Sequence, residues 1–100
     1  MSNRDELADR RQKFDLGRVM ATPAAIVAIE FAHTTTHELL QRHVTGDWRD
    51  LSAKNQALND RAVENGERIL SAYTLADGER LYIITEWDRS ATTMLQASEY

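Results

Sequence analysis

The chain has no cysteine. Disulfides, thiolate nucleophiles and sulfur-built zinc sites are therefore closed to it, and the absence suits the cytoplasm. It has one proline, Pro23, and four glycines, Gly17, Gly46, Gly66 and Gly78. The glycines stand apart, each ending an element, so there is no glycine loop to cradle a phosphate. No apolar run approaches the roughly 20 residues needed to cross a bilayer. The opening MSNRDELADRRQKF is polar and of mixed charge, unlike a secretory signal. Positive charge is also short: the formal net charge is −4 and the sequence pI is near 5.3. A direct nucleic-acid binder calls for a basic face. Only the first stretch offers one, through Arg4, Arg10, Arg11, Lys13 and Arg18, and there Asp5, Glu6, Asp9 and Asp15 interleave. From Asp47 onward ten acids face six bases. That is either an ordinary solvated surface or one that seeks a basic partner.

What is present describes one globular domain over residues 1–100, without repeats, low-complexity tracts or a dividing linker. The helical part covers about residues 2–65 and the β part about 67–96. Ser2 caps a first expected helix, with Leu7, Ala8, Arg11 and Phe14 along one side and Gly17 at its end. Thr22-Pro23 starts a second, since threonine caps well and proline is tolerated at the first helical position. The run PAAIVAIEFA is apolar nearly all round, which predicts a central buried helix. Glu30 is its one charged residue and reads as a solvated edge position. Thr35 and Glu38 fit a capping box for THELLQRHV. That helix buries Leu39, Leu40 and Val44 and stops at Gly46 in the left-handed conformation. Ser52 caps a further helix through Asn65, with Ala57, Leu58, Ala62 and Val63 at helical spacing and Gly66 as its stop.

After Gly66 the period changes to two. Ile69, Tyr73 and Leu75 alternate with Leu70, Ala72 and Thr74. Asp77-Gly78 turns the chain. Leu81, Ile83, Thr85 and Trp87 then alternate with Tyr82, Ile84 and Glu86. A second turn, Asp88-Arg89-Ser90, leads into ATTML. The expectation is α+β: N-terminal helices packed on a C-terminal three-stranded antiparallel meander.

Candidate chemistry is thin. His33 and His37 are four apart, but the threonines and the cap between them break the helix that would align them. A metal site there needs a third ligand such as Glu38, and capping or surface roles explain these histidines and His43 better. Ser52, Ser71 and Ser90 read as cap, strand and turn, not as activated nucleophiles. The pairs Asp47/Asp50 and Glu86/Asp88 lack the deep cleft that paired-carboxylate hydrolysis requires. No catalytic residue, metal or cofactor is expected. Trp48, in GDWRDL, plugs a seam behind a helix stop, with Asp47 and Asp50 capping the next turn. The other reading is an exposed aromatic among acids, a hot-spot composition. Trp87, beside Glu86, Asp88 and Arg89, poses the same choice.

The run HVTGDWRDL, then GERILSAYTLADGERLYIITEWDRSATTML and the terminal SEY, resembles a widespread family of small "plasmid-related" proteins of bacterial mobile elements. The resemblance covers about residues 22–100. It rests on His43-Val44, Gly46-Asp47-Trp48, Leu70-Ser71-Ala72-Tyr73, Asp77-Gly78, Thr85 and Asp88-Arg89-Ser90. Arg49 where glycine is usual, Trp87 where alanine is usual, and Gln96-Ala97 in place of a Leu-Pro-like pair depart from the pattern. One branch of the family resembles phage-encoded anti-CRISPR proteins of type I-F. The resemblance implies an inhibitor, not an enzyme, working in the host bacterial cytoplasm. It would bind protein subunits of the crRNA-guided (Csy) surveillance complex and block capture of target DNA, with neither a membrane nor a small-molecule substrate involved.

The DNA channel of such a complex is basic because it holds phosphate backbones. A net charge of −4 is too little to mimic duplex DNA along its length, so a local wedge with a few placed carboxylates is expected. The partner-binding residues are Asp47, Trp48, Asp50, Glu86, Trp87, Asp88 and Arg89, with Glu30 and Glu64. Arg10 and Arg11 are placed to touch guide RNA or an acidic rim. The alternative is an interaction module of a mobile element whose target is another nucleoprotein complex, such as a restriction system.

Overall fold

Thr22 and Pro23 start a helix as their chemistry dictates. The computed structural model describes residues 11–100, and in it Thr22 Oγ1 accepts from the N–H of Ala25 at 3.0 Å, opening α1 (Pro23–Phe31). Thr35 does the same for Glu38 at 3.1 Å, opening α2 (Thr36–Val44). Ser52 opens α3 (Ala53–Asn65) through Asn55. Gly46 and Gly66 end α2 and α3 with φ of +82° and +68°, the left-handed geometry that glycine adopts without a Cβ penalty. In α3 the buried side chains are Asn59 and Ala62, whereas Ala57 and Leu58 are exposed.

The chain is α+β, with three helices and a four-stranded mixed sheet among the described residues. β2 (Ile69–Thr74), β3 (Arg80–Thr85) and β4 (Ala91–Gln96) form the expected antiparallel meander. The expectation of three strands is corrected by β1 (Arg18–Ala21), which pairs parallel to β4, giving the order β1-β4-β3-β2. Four residues are too few to show a period, and β1 exists because β4 offers it an edge: the N–H of Arg18 donates to Ser90 O and that of Thr22 to Met94 O, both at 3.0 Å. Gly17 permits the approach. Its φ is +66°, and a Cβ there would lie inside the Arg89–Ser90 backbone.

Two further expectations change. Arg11 and Phe14 are not helical. Residues 11–17 form neither helix nor strand, bend at Phe14, and are pinned where the N–H of Lys13 donates to Val44 O at 2.8 Å. The rest of that expected helix, Ser2, Leu7 and Ala8 included, lies outside the described residues. Nor is α1 a buried central helix. It buries only Ala25, Ala28 and Ile29 and leaves Ile26, Val27 and Phe31 in solvent. It lies on one face of the sheet, and none of the other described elements covers its far side.

The inner face of the sheet carries Ile69, Ser71, Tyr73, Leu81, Ile83, Thr85, Thr92 and Met94, all fully buried. Ala25, Ile29 and Leu39 close over one half of it, while Phe14, Val44, Trp48 and Ala62 gather around Ile69 on the other. A polar row lies along the seam between these two apolar clusters.

Candidate functional site

That row is a hydrogen-bonded chain of side chains. His43 is on the buried stripe of α2, four residues after Leu39, and both it and Ser71 are 0% exposed. His43 Nδ1 lies 2.6 Å from Ser71 Oγ and its Nε2 lies 2.8 Å from Thr85 Oγ1. Thr85 Oγ1 is 2.8 Å from Thr92 Oγ1, and the Thr92 hydroxyl donates to Leu16 O at 2.7 Å. The terminal carbonyl sets every proton. Thr92 spends its one O–H on Leu16, so Thr85 must donate to Thr92. His43 must then donate from Nε2 to Thr85, and Nδ1 accepts from Ser71. Burial holds the imidazole pKa down at about 3, so the ring is neutral and a single tautomer is selected. Phe14 meets it edge-on at 5.1 Å between ring centroids. A serine hydrogen-bonded to a histidine has the outline of a nucleophile and its base. Here both are sealed under α2, and the serine proton already points at the ring. A substrate could reach the pair only if the core opened. The expectation of a capping or surface role for His43 is corrected: its spacing from Leu39 was the available signal.

The GDWRDL segment also faces inward. Trp48 is 3% exposed; its ring fills the seam beside Val44 and Ala62, and its Nε1–H donates to Asp60 at 3.2 Å. As a contact residue it is corrected to a core residue. Asp47 is held by two arginines: Arg42 Nε and Arg49 Nε each stand 2.8 Å from its carboxylate. Partial burial pushes that carboxyl up, but hydrogen bonds from Arg49 and Arg42 outweigh it and hold it below the usual carboxylate range. The Asp47 carbonyl accepts from Tyr73 Oη at 2.9 Å, and the Arg42 guanidinium lies 4.4 Å over the Tyr73 ring. Burial pushes the Tyr73 phenol up to about 12. Asp50 accepts from the N–H of Thr74 at 2.9 Å, so it tethers the end of β2 and does not cap α3. The open depression here, about 640 Å³, is lined by Glu38, Gln41, Arg42 and Arg49 among others, a mixed-charge surface.

The β3–β4 turn is different. Trp87 lies beyond the end of β3 and is 65% exposed. Arg89, at φ +60°, folds its guanidinium back onto four carbonyls: Ala62 at 2.9 Å, Glu67 at 2.6 Å, Glu86 at 3.2 Å and Trp87 at 3.3 Å. It thus ties the turn to the C-terminal end of α3, where a cation is favoured. Asp88 accepts from the N–H of Ser90 at 3.1 Å, and hydrogen bonding to Ser90 holds its carboxyl below the ordinary value. The turn is therefore stiff, its aromatic is outward, and neither Glu86 nor Asp88 has an ion-pair partner among the described residues.

The sequence-derived acids do not form one surface. Asp50 sits at the Thr74 end of β2. Thr85, which precedes Glu86, pairs with Ile69 at the other end, and five strand steps separate the two by about 17 Å. Glu30 and Glu64 are exposed on α1 and α3 respectively, and Arg11 is exposed; Arg10 lies outside the described residues. No three metal-ligating side chains converge among the described residues, and none of the described helices is long and apolar enough to cross a membrane. The sequence reading missed the outer side of α1, where Val27 and Phe31 stand 64% and 73% exposed. No family model, curated protein or solved structure matches the chain.

Proposed function

We propose that the protein is a binding module that docks a stiff, acid-flanked tryptophan onto a basic protein surface and makes or breaks no covalent bond. The observation that carries this is Trp87, 65% exposed on a turn whose geometry Arg89 holds through four carbonyls. A pre-ordered aromatic loses little freedom on binding, and tryptophan is enriched among the residues that dominate interface energies. Glu86 and Asp88 add negative charge without an ion-pair partner among the described residues, so they favour lysine or arginine across the contact and speed encounter with it.

The target we propose is the one implied by the resemblance, a type I-F crRNA-guided surveillance complex, with block of target-DNA capture as the consequence. A basic channel built for phosphates is a surface of the required sign. Inhibition in this reading comes from a local wedge at the Trp87 turn. GDWRDL takes no direct part, because its tryptophan is interior and its first carboxylate is neutralised by Arg42 and Arg49.

The test is target-duplex binding by the purified surveillance complex with and without the protein. The expected result is loss of duplex binding at saturating protein, and at least tenfold weaker inhibition by Trp87→Ala, whose exposed position leaves the fold intact. Unchanged duplex binding and cleavage would remove this target. Recovery of restriction subunits instead of CRISPR subunits from a lysate would move the same turn to a different nucleoprotein.

A further inference from the structure

A second surface lies at the other end of the sheet from Trp87. Val27 and Phe31 are one helical turn apart on the outer side of α1 and form an apolar ridge, with Ile26 (41% exposed) beside it. The ridge has a shallow groove on each flank. One runs between α1 and the β2–β3 turn, about 370 Å³, lined by Ala24, Val27, Phe31, Asp77, Glu79 and Gln96 among others. The other, about 560 Å³, is lined by Val27, Glu30, Phe31 and His33. No lysine or arginine lines either groove: the carboxylates are Asp77 and Glu79 on one side and Glu30, beside His33, on the other. None of the three has an ion-pair partner among the described residues.

We propose that this ridge is a docking site for a protein segment that offers an apolar stripe edged by lysine or arginine. The argument is charge complementarity around an anchor. Phe31 exposes an aromatic ring that gains by desolvation, and the acids flanking it repel an acidic rim on the partner and favour a basic one. A second copy of this chain is the wrong occupant. A two-fold contact sets the same patch against itself, which would bring one acidic set, Glu30, Asp77 and Glu79, against an identical acidic set. The site is independent of the Trp87 turn. A molecule with both can engage two surfaces about a sheet length apart, which a wedge between subunits requires.

The probe is a helix-forming peptide of leucine and lysine, with its leucines on one stripe, titrated into the full chain and followed by amide NMR shifts. The expected perturbations centre on Val27, Glu30, Phe31, Asp77 and Glu79. Phe31→Ala should weaken binding about tenfold or more. The triple reversal Glu30→Lys, Asp77→Lys, Glu79→Lys should abolish it, and both variants should keep the parent's circular dichroism because the altered side chains are exposed. A glutamate-for-lysine version of the peptide should not bind. Perturbations centred on Trp87 or spread over the whole surface would overturn the site, as would undiminished binding by either variant. So would a dimer in sedimentation that Phe31→Ala dissolves, because the ridge would then be a self-contact. This readout uses no CRISPR component, so it stands or falls separately from the proposed target.

Discussion

His43 donates from Nε2 to the Thr85 hydroxyl 2.8 Å away, and that one bond transmits the demand of a backbone carbonyl, Leu16 O, through two threonines to a buried imidazole. The core tolerates a histidine because both ring nitrogens are satisfied and the ring carries no charge. An unpaired polar atom in that position would cost on the order of 1–3 kcal/mol.

Acid should therefore destabilise the protein well before its carboxylates protonate. In the unfolded chain the His43 ring takes a proton near 6.5, and in the folded chain only near 3. Between those values the unfolded state binds more protons, so stability falls as pH drops through this window, by up to about 1.4 kcal/mol per pH unit. Above 6.5 the ring contributes no slope. Urea unfolding at pH 7, 6 and 5 measures this, and His43→Gln should flatten the dependence. Nitrogen NMR of the native ring should show the Nε2–H tautomer and no titration between pH 5 and 8. The depressed carboxyls of Asp47 and Asp88 act in the same sense, but only below the ordinary carboxylate range.

The outer edge of β2 is closed by a side chain acting as a strand. Asn59 donates from Nδ2 to Leu70 O at 2.8 Å and accepts from the N–H of Leu70 at 3.3 Å. Asn59→Asp keeps the shape but cannot donate. It sets a carboxylate against a carbonyl, and should cost about 1–3 kcal/mol in chemical denaturation. An edge freed in this way also invites pairing between chains, so the variant should show concentration-dependent light scattering.

α1 ends with a non-glycine residue in left-handed geometry. His33 has φ +60°, its N–H donates to Glu30 O, and that of Thr34 donates to Ile29 O, the paired bonds of a Schellman end. A side chain in this conformation costs roughly 1–2 kcal/mol that glycine avoids. His33→Gly should raise stability by about 1 kcal/mol and shift Tm upward.

Reversing acids at the two tryptophans should have opposite consequences. Asp47→Lys removes the partner of Arg42 and Arg49 and adds a like charge between them. With Asp50→Lys, which strips Thr74 of its acceptor, it should lower stability by about 2–4 kcal/mol. Glu86→Lys with Asp88→Lys should change stability by under about 1 kcal/mol while weakening partner binding at least tenfold. Denaturation midpoints and partner affinity for the two pairs, measured side by side, check this.

Much of the local structure was legible because it is locally determined. Thr22, Thr35 and Ser52 cap helices through their own hydroxyls. Gly46 and Gly66 stop them because no Cβ stands in the way, and period-two alternation over Ile69–Thr74 and Arg80–Thr85 marks strands whatever they pair with. The strand Arg18–Ala21 was not legible, since its pairing partner lies some seventy residues further on. Nor was the state of the acids. Asp47, Asp50 and Asp88 are the same residue type at similar positions near a tryptophan. Only the folded chain places two guanidiniums on the first and an amide of a distant strand on the second, and leaves the third with only a local turn amide and no ion pair among the described residues. His43 carried a readable sign in its spacing from Leu39, but its partners Ser71, Thr85 and Thr92 come together only when three strands align in register. Sequence alone marked the three capped helices and the three meander strands, since caps and periods act over a few residues. Tertiary structure decided which polar groups are spent inside the molecule and which remain for a partner, because that depends on contacts between residues far apart along the chain.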